Sequence, residues 1–68
     1  MNTYIFDLGL DGSATYDCPT LEEAIDLLSQ KGPIWYTDPA IPGRVYLVWH
    51  SVTENGVAVD SSRFPEFA

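Results

Sequence analysis

The chain has 68 residues, of which ten are acidic and three are basic, so its formal charge at pH 7 is −7. Because a chain this short can build only one hydrophobic core, we predict a single compact domain over residues 1–68. The negative charge argues against direct binding to nucleic-acid phosphates or to an anionic membrane surface.

The first predicted element is a β-hairpin. Apolar and polar side chains alternate over residues 3–10 and again over 13–18, which is typical of strands with one buried face. A three-residue loop over 10–12, with Gly12 at a positive φ, places the apolar residues of both strands on the same face. This register pairs Leu8 with Ala14, Phe6 with Tyr16, and Tyr4 with Cys18.

A helix over residues 20–31 is the next predicted element. Thr20 and Glu23 have the spacing of a capping box, which marks the start of a helix. An apolar stripe with the helical period follows, formed by Leu21, Ala24, Ile25, Leu27 and Leu28. Gly32 suits the position after the helix at a positive φ, and Pro33 prevents the helix from continuing.

Three further strands are predicted after the helix. Residues 34–36 form a short strand, 38–43 a loop with two prolines, and 44–53 the longest strand. Asn55-Gly56 is typical of a two-residue hairpin turn, so the following residues should return antiparallel. The expected pairs are Val52 with Val59 and His50 with Ser61.

The order β-β-α-β-β-β predicts an α+β fold. In this fold one helix packs on one face of an antiparallel sheet of four or five strands.

The longest strand is apolar on both sides, with Val45, Leu47 and Trp49 opposite Tyr46, Val48 and Val52. The Asn55-Gly56 register places Val57 and Val59 on the Tyr46 side, so we expect that side to face the helix. The opposite side should then form an exposed apolar patch that contacts a partner, made of Val45, Leu47 and Trp49, with Trp35 or Tyr36 beside them. The alternative is that Phe64 and Phe67 of the C-terminal segment cover the patch.

The charges are distributed unevenly along the chain. The first 30 residues contain six acids and no base, namely Asp7, Asp11, Asp17, Glu22, Glu23 and Asp26. We predict that the first hairpin and the start of the helix present an acidic surface that selects a basic protein surface as its partner. Such a surface can mimic a nucleic acid by presenting carboxylates where phosphates would lie. The alternative is that the charge only keeps the domain soluble and monomeric.

The residues that could carry chemistry are few. Cys18 and His50 are the single cysteine and the single histidine, and no third group is in place to orient them as a catalytic pair. They are too few for a zinc site, and residues 7–12 lack an oxygen ligand that an EF-hand loop requires. We therefore predict no catalysis, no metal and no cofactor. A lone cysteine and an N-terminus without a basic region indicate a cytoplasmic location and no membrane association.

The chain has fewer than 100 residues, is strongly acidic, begins Met1-Asn2-Thr3-Tyr4-Ile5, and is predicted to place one helix on an antiparallel sheet. In these respects it resembles the small phage-encoded inhibitors of host defence, anti-CRISPR proteins among them. The resemblance concerns size, charge and predicted fold, and it transfers no functional residue by position. It implies a non-catalytic inhibitor that binds a CRISPR effector complex in the host cytoplasm and blocks its DNA- or RNA-binding surface. The second interpretation is a small structural or assembly protein, or a homodimer that pairs through an exposed sheet face.

Overall fold

A computed structural model describes residues 1–66 and contains one helix and six strands. In chain order these are β1 (Asn2–Asp7), β2 (Ser13–Cys18), α1 (Leu21–Ser29), β3 (Trp35–Thr37), β4 (Val45–Leu47), β5 (Ser51–Glu54) and β6 (Val57–Ala58). Short 3₁₀ turns occur at Gly9–Asp11 and Ser61–Arg63. The strands form two antiparallel sheets, so the predicted α+β class is confirmed.

The larger sheet has four strands in the order β2-β1-β5-β6, and α1 packs against one of its faces. The side chains of β1 alternate: Tyr4 and Phe6 are fully buried, whereas Ile5 and Asp7 are exposed on the opposite face. The core between sheet and helix comprises Tyr4, Phe6, Cys18, Leu21, Ala24, Leu28, Trp49 and Val52. The expected arrangement of one helix on an antiparallel sheet is therefore observed.

The first hairpin has a longer loop than predicted. Phe6 pairs with Ala14 and Asp7 with Ser13, so residues 8–12 form the loop and the predicted register is wrong by two residues. The cause is a 3₁₀ turn in which Gly9, as well as Gly12, has a positive φ, of 68° and 87° respectively. Because the shift is even, the side chains within β1 and β2 stay on their predicted faces.

Hydrogen bonds hold the first hairpin loop closed, and the two shortest involve Leu8 and Gly9. The Leu8 N–H donates to the Gly12 carbonyl oxygen at 2.8 Å. The Gly9 N–H donates to the Asp7 carboxylate at 2.9 Å.

Helix α1 begins where the capping pattern predicts. The Thr20 hydroxyl oxygen accepts a hydrogen bond from the Glu23 N–H at 3.2 Å, and this satisfies a backbone donor that has no partner within the helix. At the other end the chain tightens into i→i+3 bonds, from Lys31 N–H to the Leu28 carbonyl and from Gly32 N–H to the Ser29 carbonyl. Gly32 therefore does not take the positive φ that we predicted.

The longest predicted strand is two strands in the structure. β4 pairs with β3 in a separate two-stranded sheet, whereas β5 joins β1 in the larger sheet. Residues 48–50 connect them, held by hydrogen bonds from Val48 N–H to the Ile34 carbonyl at 2.9 Å and from His50 N–H to the Asp7 carbonyl at 2.7 Å. The chain thus changes sheets in the middle of its most apolar segment.

The second hairpin follows the predicted register. Asn55 and Gly56 have φ values of 52° and 84°, and their turn pairs β5 with β6. The Val59 N–H extends the pairing to the Val52 carbonyl at 2.9 Å. The predicted pair of Ser61 with His50 is wrong, because the chain leaves the sheet and Ser61 begins a 3₁₀ turn.

Candidate interaction surfaces

The predicted apolar patch around Trp49 does not exist, because Trp49 is only 4% exposed. The break between β4 and β5 turns its indole into the core, where the ring of Phe6 lies at 5.1 Å between centroids. Phe64 covers it from the C-terminal side, with the rings nearly perpendicular and 5.7 Å apart. The alternative, in which the C-terminal segment covers Trp49, is thus observed for Phe64, and Phe67 lies outside the described residues.

Two tyrosines form an exposed aromatic pair on the two-stranded sheet. Tyr36 and Tyr46 are directly opposite each other in β3 and β4, and their rings stack at 6.1 Å with an interplanar angle of 28°. They are 42% and 48% exposed, whereas Trp35, the neighbour of Tyr36, is half-buried. Tyr36 is therefore on the surface as predicted. Tyr46 was expected to face the helix, and it reaches the surface because β4 lies outside the larger sheet.

A cleft opens where the hairpin loop of residues 8–12 meets the two-stranded sheet. Two adjoining volumes, of about 340 and 330 Å³, share Leu8, Asp11, Tyr36 and Val48 in their walls. The second volume is also lined by Leu10, Tyr46 and His50. Leu10 is fully exposed at the tip of the loop. It lies in the predicted hairpin loop, but the sequence pattern did not single it out as a surface residue.

The six acids of the first 30 residues are all exposed, but they do not lie on one face. Asp7 and Asp17 lie on the sheet face opposite the helix, as the alternation with buried Phe6 and Cys18 requires. Glu22, Glu23 and Asp26 lie on the helix, on the other side of the sheet. Asp11 is in the hairpin loop. The single acidic surface predicted from the sequence is therefore divided, because strand and helix direct their side chains to opposite sides.

Four of these acids lie within residues 17–26, the segment that contains the junction between β2 and α1, and we call them the acidic end. They are Asp17, Glu22, Glu23 and Asp26. Burial raises the pKa of the Cys18 thiol at this junction, and the charges of Glu23 and then Asp17 raise it further. Both carboxylates are therefore close to Cys18, one from the strand and one from the helix.

Arg63 is a base close to the helical part of the acidic end: its charge interacts with that of Glu22, and it lines one surface pocket with Glu22 and Asp26. Within residues 1–66 the one ion pair joins Arg63 to Glu54, with nitrogen–oxygen distances of 3.1 and 3.3 Å. The Tyr4 hydroxyl donates a 2.6 Å hydrogen bond to the same Glu54 carboxylate. These hydrogen bonds, from Arg63 and then Tyr4, hold the pKa of Glu54 below its ordinary value. Lys31 stands over the Tyr16 ring, 5.5 Å from its centroid.

Cys18 and His50 do not form a reactive pair. Cys18 is opposite Asn2 and the His50 N–H binds Asp7, so they lie at opposite ends of β1, about 17 Å apart at the rise of a strand. The buried thiol donates to the Thr20 carbonyl oxygen at 3.3 Å. Among residues 1–66 no group of three or more His, Cys, Asp and Glu side chains is arranged to hold a metal ion.

No helix in the described part of the chain is long and apolar enough to cross a membrane. No family model, curated protein sequence or solved structure matches this chain. Its surfaces are therefore the basis for a functional assignment.

Proposed function

We propose that this protein is a non-catalytic inhibitor, similar in action to anti-CRISPR proteins, that binds a basic protein surface used to hold DNA or RNA. The observation that carries the proposal is the acidic end, where four exposed carboxylates lie within residues 17–26. Carboxylates in this density attract a basic surface, accelerate association and reject acidic competitors. In this proposal the target is a CRISPR effector complex in the cytoplasm of a host cell.

The geometry of the helix supports such a role. Glu22 and Asp26 are four residues apart on α1, so their side chains project side by side, about 6 Å apart at the Cβ atoms. Like charges at this spacing destabilise a helix slightly. Capping explains an acid in the first turn, and Asp17 accepts a hydrogen bond from the Thr3 hydroxyl at 2.6 Å, but neither explains Asp26. A basic partner that contacts this helix face would neutralise Glu22 and Asp26 together.

The test removes charge from the acidic end. In the triple variant Asp17→Asn, Glu22→Gln, Asp26→Asn, the capping residues Thr20 and Glu23 are left intact. The matched control, Asp38→Asn, Asp60→Asn, Glu66→Gln, removes the same charge elsewhere, and its asparagine oxygens can still cap the turns at Ala40 and Ser62. The assay measures target-DNA binding by a panel of guide-RNA-loaded CRISPR effector complexes.

We expect the natural protein to block DNA binding by at least one complex. The acidic-end variant should inhibit at least tenfold more weakly, and raised salt should weaken the natural protein more than this variant. The control should stay within about twofold of the natural protein. Failure to block any complex, or equal loss in both variants, would refute the proposal.

A second candidate, a homodimer or assembly protein, is supported by the sheet face opposite the helix. At its centre Ile5 is 41% exposed, with Thr15 and Thr53 as its neighbours on the two flanking strands. Asp7 and Asp17 are on the same face and would repel their counterparts in a second copy, which is why we favour the inhibitor. Sedimentation at micromolar concentration distinguishes the two: a dimer that Ile5→Lys dissociates would support the second candidate.

A further inference from the structure

The cleft between the hairpin loop and the two-stranded sheet combines aromatic, apolar and acidic groups. Tyr36 and Tyr46 form one wall with stacked rings, and Leu8 and Val48 contribute apolar surface. Asp11 is its one acidic residue. Only a few side chains of a partner could match all three properties at once.

The Asp11 carboxylate is available for a partner. The other loop carboxylates satisfy backbone donors: Asp7 binds the Gly9 N–H, Asp38 the Ala40 N–H and Asp60 the Ser62 N–H. Within residues 1–66 the Asp11 carboxylate has no hydrogen bond and no ion pair. Lys31 borders the adjoining volume, but its ammonium stands over Tyr16 and is not paired with Asp11.

The exposed tyrosine pair requires its own explanation. Its rings are about half exposed, and the two-stranded sheet that carries them contains no buried residue, so core packing does not account for their position. Tyrosine is enriched among the residues that dominate binding energy at interfaces. Aromatic faces attract cations, and a planar guanidinium stacks on them better than a compact ammonium does.

We propose that this cleft binds an arginine side chain of the partner protein. The guanidinium would stack on the Tyr36 and Tyr46 rings and donate to the Asp11 carboxylate, while its aliphatic carbons contact Leu8 and Val48. The proposal deepens the function proposed above and rests on it, because a basic protein surface supplies the arginine. The acidic end would attract this surface over a distance, and the cleft would hold one of its side chains.

The probe is a seven-residue peptide with alternating glycine and arginine, compared with the same peptide carrying citrulline, which has a similar shape and no charge. Binding is measured by ¹H–¹⁵N NMR titration of the intact chain. We expect chemical-shift changes at Leu10, Asp11, Tyr36, Tyr46 and His50 with arginine, and at least fivefold weaker binding of citrulline. Equal binding of the two peptides, or changes confined to the acidic end, would overturn the proposal.

Single substitutions in the cleft test which side chains contact the arginine. Tyr36→Leu and Tyr46→Leu should each weaken binding about two- to fivefold, whereas Tyr46→Phe keeps the ring and should bind like the natural protein. Asp11→Asn changes an exposed loop position and should weaken binding at least threefold without altering the fold. Unchanged affinity in Asp11→Asn and Tyr46→Leu together would overturn the proposal, even if one tyrosine variant failed to fold.

The peptide result is separate from the test of inhibition. Arginine binding in the cleft without inhibition of any CRISPR effector complex would sustain the site and refute the proposed target. Inhibition that survives in Asp11→Asn, Tyr36→Leu and Tyr46→Leu would instead refute the cleft as a part of the inhibitory surface.

Discussion

The two sheets of this protein differ in what they bury. The four-stranded sheet contributes Tyr4, Phe6 and Val52, each at most 1% exposed, to a core shared with α1. The two-stranded sheet contains no buried residue, and it presents Tyr36 and Tyr46 to solvent. Burial on one face gives the larger sheet its stability, while the smaller sheet leaves aromatic rings free for contact. The buried core and the exposed tyrosine pair thus belong to different sheets.

Trp49 provides the strongest test of this difference, because it lies in the segment that joins the two sheets. Trp49→Ala should destabilise the protein by about 3–5 kcal/mol, since a large buried ring is replaced by a cavity beside Phe6 and Phe64. Tyr46→Ala, on the smaller sheet, should destabilise the protein by less than about 1 kcal/mol, since substitutions at surface positions usually change stability little. Urea denaturation followed by circular dichroism measures both. Similar losses in the two variants would remove the distinction between the sheets.

Substitution of Gly9, which lies against His50, should have a second and smaller effect on stability. A Cβ at Gly9 would lie 2.6 Å from the His50 Nε2, and Gly9 also has a φ of 68°. Gly9→Ala should therefore cost about 1–3 kcal/mol. Gly12→Ala is the comparison for backbone strain without a steric clash, because open space surrounds Gly12; its φ of 87° and ψ of −135° suit glycine, so it should cost about 1–3 kcal/mol.

The double variant Gly9→Ala, His50→Ala separates steric from backbone strain at Gly9. Removal of the imidazole should recover the steric part of the loss and leave the backbone part. No recovery in the double variant would show that the ring can move aside.

The smallest effect concerns Glu54, which joins the larger sheet to the C-terminal segment. Hydrogen bonds from Arg63 and Tyr4 lower the pKa of Glu54 in the folded protein. The stabilisation that ionised Glu54 contributes is therefore fully present above the ordinary Glu pKa of 4.5. It is lost as the pH falls through the lower pKa that Glu54 has in the folded protein. Glu54→Gln should flatten the acid side of the stability profile, measured by thermal unfolding from pH 7 to pH 2. The effect is small because Arg63 is half exposed.

Glu66→Gln is the control for Glu54, because Glu66 is exposed and lies outside this network. If both variants left the acid side of the stability profile unchanged, the hydrogen bonds to Glu54 would not stabilise the sheet.

Much of the larger sheet could be predicted from the sequence. The alternation around Tyr4 and Phe6 correctly separated the buried from the exposed face. The hairpin loop, however, spans residues 8–12 and is two residues longer than predicted. A second glycine at a positive φ, Gly9, caused this difference. The alternation shows which side chains share a face, and a shift of the pairing by two residues leaves those faces unchanged. The geometry of the loop therefore decides between such registers.

The candidate site was less accessible to prediction. Tyr36 was identified as a surface aromatic, but its partner Tyr46 was assigned to the helix-facing side and Trp49 to the surface. Both errors have one source, the assumption that residues 44–53 form one strand. A segment that is apolar on both sides has no alternation that would reveal a break within it.

The sequence by itself determined the local features of this protein: the faces of the first hairpin, the start of the helix at Thr20, and the turn at Asn55-Gly56. Each depends on residues that are near one another in the chain. Only the tertiary structure decided where the apolar segment changes sheets. The residues on either side of Trp49 donate backbone hydrogen bonds to different partners, the carbonyl oxygens of Ile34 and Asp7. These long-range hydrogen bonds bury Trp49, expose Tyr46, and place the tyrosine pair beside the Asp11 loop.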